Sequence, residues 1–206
     1  MPLREPALCV VDVPRGTLHG ASGTYTRMLS DLRGLYADDA AYRALLDAGD
    51  RIVYEVAEYR PSSAPGDMIL GVTHMRPGKV GQEYFLTRGH LHANPNRPEI
   101  YYGESGHGVM LMESPAGDVR TAAIGPRTLC YVPSYWIHRS VNTGAEPLVM
   151  TFAYPADAGQ DYGVIDETHG MRWRIVADST GGWVAVANTA YRPRPAARVD
   201  SILARA

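Results

Sequence analysis

Thr87-Arg88-Gly89-His90-Leu91-His92, followed by Glu99 and much later by Pro133-Ser134-Tyr135-Trp136-Ile137-His138, is the stretch that decides the fold. In an extended chain alternate side chains share a face, so His90 and His92 point the same way and can grip one ion. Pro95 and Pro98 turn the chain before Glu99 opens the next segment, and His138 has to arrive from a distant one. These imidazoles and the carboxylate meet at a single divalent ion only if the chain is a closed or folded-over β-sheet.

The surrounding sequence has the texture such a sheet needs. From Arg51 onward it alternates between short strand-like segments and turn formers. The segments are residues 51–60, 67–76, 81–93, 99–105, 106–114, 118–124, 127–133, 137–143 and 146–155. Between them stand Pro61 to Gly66, Pro77-Gly78, Asn94 to Arg97, Ser114 to Gly117, Gly125-Pro126 and Thr143 to Pro147. Short strands at that spacing without interleaved helices predict an all-β jelly roll or small barrel. Residues 172–178 and 183–189 predict one more hairpin across Gly181-Gly182.

Helix is expected only at the periphery. Asp38 and Asp39 precede a segment in which Tyr42, Leu45 and Leu46 recur at helical spacing and Gly49 stops the run. Ser30 to Leu35 meets Gly34 at once and predicts no more than a helical turn. The expected organisation is an N-terminal arm with a short helix over residues 1–50, a barrel over 51–190, and a mobile C-terminal tail over 191–206.

With 206 residues, 20% of them charged, and a net charge of -2, the chain is one domain without the basic excess that holds nucleic acid or an anionic membrane. A small-molecule partner is the expectation. No apolar run approaches the roughly 18 residues of a membrane span, and the N-terminus lacks a signal-peptide core, so a cytoplasmic protein is expected. Cys9 and Cys130 are read as free thiols.

Imidazole and carboxylate donors suit first-row divalent ions, and no thiolate joins them as in a structural zinc knot. Four protein ligands leave an octahedral ion two positions, enough for adjacent oxygens of a hydroxy-carbonyl compound. Glu99 is the only carboxylate in the set and serves either as ligand and base in alternation or as ligand alone. Tyr101 shares its strand face, to orient hydroxyls or to pack. Leu148, Met150, Phe152 and Tyr154 alternate onto one face that ends in a polar tip. Lys79 and Arg88 are possible electrostatic helpers, while Arg97 reads as a solvated charge. His19, His107 and His169 are expected at the surface and His74 in a structural place.

The His-x-His pair with Glu99 and Gly106, and His138 with Asn142, resemble the two signature motifs of the cupin superfamily. Two departures stand out: the gap from His92 to Glu99 is long, and Tyr135 takes a position usually held by glycine. The blocks TRGHLHANPNRPEIYYGESGHGVML (87–111), YVPSYWIHRSVNTGAEPLV (131–149) and FAYPADAGQDYG (152–163) are similar to the cupin-type phosphoglucose isomerases first known from archaea. The resemblance implies a homodimer of single cupin barrels that interconverts glucose 6-phosphate and fructose 6-phosphate. It implies one divalent metal per subunit, Fe2+ or Mn2+ first, with Ni2+, Co2+ or Zn2+ accepted by the same donors.

Carried over by position, the metal ligands are His90, His92, Glu99 and His138. Thr73, Thr87 and Gly89 lie on the phosphate side, and Tyr101, Tyr154 and Tyr162 around the sugar. Gln160 stands where members of that family carry histidine, and still offers a hydrogen bond. Strict alternation sets Thr87 opposite His90, so a kink at Gly89 is required if both face the substrate. The same donor set serves a mannose 6-phosphate isomerase, an iron dioxygenase or a non-catalytic sugar-phosphate-binding cupin, which stand as alternatives.

Overall fold

The computed structural model describes residues 3–205; the first two residues of the expected arm and the last of the expected tail lie outside them. The chain opens with β1 (Val10–Asp12), β2 (Thr17–His19) and β3 (Gly23–Met28), then a 3₁₀ turn at Leu29–Leu32. Helix α1 (Asp39–Asp47) follows, capped by Asp38, whose carboxylate accepts the amide of Ala41 at 2.8 Å. Its buried Tyr42 donates its hydroxyl to the carbonyl of Leu29 at 2.9 Å, which fixes the helix against the sheet.

Next come β4 (Ile52–Tyr59), β5 (Met68–Met75) and the short β6 (Lys79–Val80) and β7 (Glu83–Tyr84). The second half supplies β8 (Glu99–Ser105), β9 (Gly108–Glu113), β10 (Val119–Ile124), β11 (Leu129–Val132), β12 (Ile137–Asn142) and β13 (Leu148–Pro155). After them stand α2 (Gly163–Asp166), the hairpin β14 (Trp173–Ala177) and β15 (Trp183–Ala187), and α3 (Ala196–Leu203).

One sheet has the order β11-β8-β13-β5-β4-β3, and β10-β9-β12 and β15-β14-β7-β6 form the other wall. The sheets are antiparallel throughout, and the non-sequential order is that of a jelly roll. Fully buried Ile69, Met75, Met110, Ile137, Leu148 and Met150 pack between the walls in one continuous core. Alternation along β13 puts Met150, Phe152 and Tyr154 inside, as the period-two pattern requires.

Three expectations need correction. The barrel's sheet starts at β3, inside the expected arm, because Gly23 to Met28 pairs along β4. Residues 81–93 are not one strand: beyond β7 only isolated bridges join Leu86 to Val141, His90 to His138 and Leu91 to Asp161. Left-handed Gly81 and Gly89, at φ 57° and 76°, break the ladder there. The tail carries a third helix, α3, whose Ile202 is fully buried. It is held by Arg194, whose side chain is 1% exposed and bonds to equally buried Glu113 at 2.7 Å.

Candidate metal centre and its pocket

The bridge between His90 and His138 builds the centre. Each donates its amide to the other's carbonyl, at 3.1 and 3.0 Å. Directly opposed residues of an antiparallel pair carry their side chains on one face, and here the ring centroids lie 4.5 Å apart. His92, two residues beyond His90, returns to that face. Glu99 enters from the first residue of β8, paired there with Val132 of β11.

Nε2 of His138, His92 and His90 lies 2.9, 3.2 and 4.0 Å from Glu99 Oε2, and one donor atom from each of the four residues falls within 4.8 Å of the rest. Nδ1 of His92 meets the carbonyl of Arg97 at 2.6 Å, and Nδ1 of His138 meets that of Trp136 at 3.1 Å. A carbonyl only accepts, so Nδ1 is assigned the proton and Nε2 is left to the centre, as in histidine ligands braced by an outer partner. Lone pairs so close to a carboxylate oxygen repel, and a cation or a shared proton must lie among them.

Other features agree with a cation. His90 Nε2 is buried without a hydrogen-bond partner among the described residues. Burial first, and then the neighbouring His138, holds His90 well below the ordinary imidazole range, so it is neutral. At Glu99 burial works against the charge, but a proton shared with His138 or His92 outweighs it and keeps the carboxyl well below its usual range. Neutral imidazole beside ionised carboxylate is the state in which these donors take up a divalent first-row ion, and the residues fit one.

The centre opens into a cavity of about 500 Å³, solvent at its mouth included. His90 and Glu99 reach its wall; His92 and His138 brace the centre from behind. Thr73, Thr87, Gly89 and Tyr101 line the cavity, as do Tyr154, Gln160 and Tyr162. The left-handed Gly89 turns Thr87 and His90 to the same side, which strict alternation forbids. A Cβ there would lie 2.9 Å from Ile165 and 3.0 Å from Arg139. Tyr162 donates its hydroxyl to Gln160 Oε1 at 3.2 Å, between the ring of His90 and the guanidinium of Arg88. Burial and the charge of Glu99 push the Tyr101 phenol well above its ordinary value, so it stays a neutral donor.

The helpers fare differently. Lys79 lies over Tyr84, outside the cavity lining, and Arg88 pairs with Asp166 at 3.2 Å. Arg97, read as a solvated charge, makes a two-pronged bond to Asp157 at 2.9 and 2.8 Å while its carbonyl orients His92. His19, His107 and His169 are exposed and His74 is buried, as expected.

Tyr25, Tyr54, Val56 and Ser140 also line the cavity and were not singled out in the sequence, whereas Phe152 lines it as a member of the alternating row that ends at Tyr154. Alternation carried a signal for two of them: Ser140 is two residues from His138, and Val56 two from Tyr54. Tyr25 gave none, since its place depends on β3 pairing with β4.

The model of the family described as "Glucose-6-phosphate isomerase (GPI)" matches residues 26–194. A glucose-6-phosphate isomerase of Sinorhizobium medicae (strain WSM419) is 56% identical over 201 residues, covering 97% of this chain and 94% of that protein. One of Thermococcus kodakarensis is 46% identical over 167 residues, covering 81% and 87%. An oxalate oxidase solved with the substrate analogue glycolate is similar at a TM-score of 0.45 and 14% identity, over 53% of this chain and 55% of that one. With the family match spanning residues 90–99 and 133–138 and every cavity-lining residue but Tyr25, this chain belongs to the glucose-6-phosphate isomerase family.

Proposed function

We propose that this protein interconverts glucose 6-phosphate and fructose 6-phosphate with one bound divalent cation, Fe2+ or Mn2+, held by His90, His92, Glu99 and His138. The observation that carries the reading is the convergence of these donors at the wall of a tyrosine-lined cavity in a chain of this family. When bound, the ion supplies Lewis acidity toward the adjacent oxygens of a hydroxy-carbonyl sugar.

The chain's own residues do the rest. Thr73, Thr87 and the backbone of Gly89 seat the phosphate; Tyr154, Tyr162 and Gln160 position the sugar hydroxyls. Isomerisation requires hydrogen to move between C1 and C2. Glu99 Oε2 faces Nε2 of His92 and His138 and would hold the ion with them, which leaves Oε1 to carry that proton, with neutral Tyr101 donating a hydrogen bond beside it. In this reading the enzyme serves glycolysis and gluconeogenesis in the cytoplasm, where phosphorylated sugars are made and retained; among the described residues no helix is long and apolar enough to cross a membrane.

A homodimer belongs to the same proposal. On the outer face, Tyr131, Ile100, Ala153 and Leu70 stand in one row across β11, β8, β13 and β5. Tyr131 is 59%, Ile100 45% and Leu70 42% exposed, an apolar strip that a second copy would cover about a two-fold axis.

The test is a coupled assay of both directions on chelator-stripped protein refilled with Fe2+ or Mn2+. Loss on stripping and recovery on refilling are expected; undiminished turnover in the stripped protein would remove the metal from the mechanism.

A further inference from the structure

The side of the cavity formed by Thr73, Thr87 and Gly89 contains no cation, although a phosphate monoester carries close to two negative charges near pH 7. Of the basic residues singled out in the sequence, Lys79 stacks over Tyr84, which is no part of the lining, and Arg88 is taken by Asp166. A different arginine comes from β3.

Tyr25 of β3 pairs with Val56 of β4, which pairs with Thr73 of β5; two residues along, and so on the same face, Arg27 pairs with Tyr54. Directly paired residues share a face, so Arg27 and Tyr54 form the row next to Tyr25, Val56 and Thr73. Tyr25, Tyr54, Val56 and Thr73 all line the cavity. Half-buried Arg27 stands just behind this lining, its guanidinium carbon 5.1 Å from the ring centroid of the lining residue Tyr25, and it forms no ion pair with a carboxylate among the described residues. Stacking on an aromatic face restrains a guanidinium while leaving its N–H edge free.

Tyr54 connects this cation to the bend at residues 87–89. Its hydroxyl accepts the amide of Arg88 at 3.4 Å. Burial pushes the Tyr54 phenol up, while the Arg88 amide and the Arg27 guanidinium pull it back, as expected of a hydroxyl lying between them.

We propose that Arg27 is the charged anchor for the substrate's phosphate, facing the cavity from the edge strand β3 and selecting phosphorylated over neutral sugars. The identity of the substrate rests on the isomerase reading above. The anion site does not.

The test uses metal-loaded full-length protein and two variants, Arg27→Gln and Arg27→Lys. Binding of inorganic phosphate and of glucose 6-phosphate is measured by calorimetry, together with Mn2+ affinity, thermal midpoint, KM and kcat. Losing a charge-assisted contact should weaken both anions by roughly 10- to 100-fold in Arg27→Gln, raise KM far more than it lowers kcat, and flatten the dependence on ionic strength. Arg27→Lys should recover part of the affinity, with Mn2+ affinity and thermal midpoint unchanged in both variants.

Phosphate affinity equal to wild type in Arg27→Gln overturns the assignment. So does a parallel fall in Mn2+ affinity and thermal midpoint, which marks a collapsed pocket wall. Wild-type protein that binds these anions through Arg27 but exchanges no isomers leaves the anchor standing and removes the isomerase reading instead.

Discussion

The amide of Tyr135 donates to the carbonyl of Pro95 at 2.7 Å, tying the turn before His138 to the loop between His92 and Glu99. Both departures from the general cupin pattern therefore meet at one hydrogen bond. Tyr135 sits at φ 70°, the left-handed region where glycine is at ease, and its hydroxyl donates to the carbonyl of Arg205 at 2.9 Å. An L-residue there is strained by about 1 kcal/mol. Tyr135→Gly should be more stable than Tyr135→Ala by about that amount in urea unfolding. An alanine variant as stable as the glycine variant would contradict the strain.

The donor set predicts linkage between metal and fold. A cation that binds only the folded chain at a hundred times its Kd stabilises it by about 2.7 kcal/mol. Mn2+ should therefore raise the thermal midpoint of the wild type, whereas Glu99→Gln and His138→Ala should show almost no rise in differential scanning calorimetry.

Gly89 should tolerate no side chain. Gly89→Ala imposes a left-handed strain of about 1–3 kcal/mol and a clash with Arg139 and Ile165 that turns Thr87 or His90 away. We expect isomerase activity to fall at least tenfold, more than the loss of stability explains; activity within twofold of wild type would show that the bend is dispensable.

The C-terminal segment should be required for the barrel. Glu113 Oε1 accepts from Arg194 at 2.7 Å and from the Tyr191 hydroxyl at 3.1 Å, while Arg194 also donates to the carbonyl of Val164 in α2 at 2.7 Å. Arg194→Ala leaves a buried carboxylate unpaired and should cost about 3–5 kcal/mol. Arg194→Met combined with Glu113→Leu should recover much of that in denaturant titration; a double variant as damaged as the single one would argue against a charge effect.

Buried His74 gives stability a pH slope. Burial first, and then Arg76, lowers its folded pKa, with Glu55 opposing. Between the folded value and the unfolded one near 6.5, the unfolded chain binds more protons, so stability falls as pH drops through and below about 6.5. His74→Gln should be less sensitive to pH between 7.5 and 5.5 when urea midpoints are compared. Equal slopes in variant and wild type would mean that His74 does not carry the effect.

The sequence by itself determined the things that depend on local period and chemistry. Alternation at two residues put His90 and His92 on one face and Met150, Phe152 and Tyr154 inside β13, and turn formers marked the strands from residue 51 onward. The donor set of His90, His92, Glu99 and His138 was readable because few other combinations suit one ion. Pairing between distant segments was not readable, because register is set by contacts that no local pattern records. Tertiary structure alone decided that β3 joins the barrel and brings Tyr25, with Arg27 stacked on it, to the cavity, and that Glu113 waits for Arg194. It also decided that His90 meets His138 across an isolated bridge made possible by one left-handed glycine: a backbone angle at residue 89 is chosen by the packing of Arg139 and Ile165 around it, not by its neighbours in sequence.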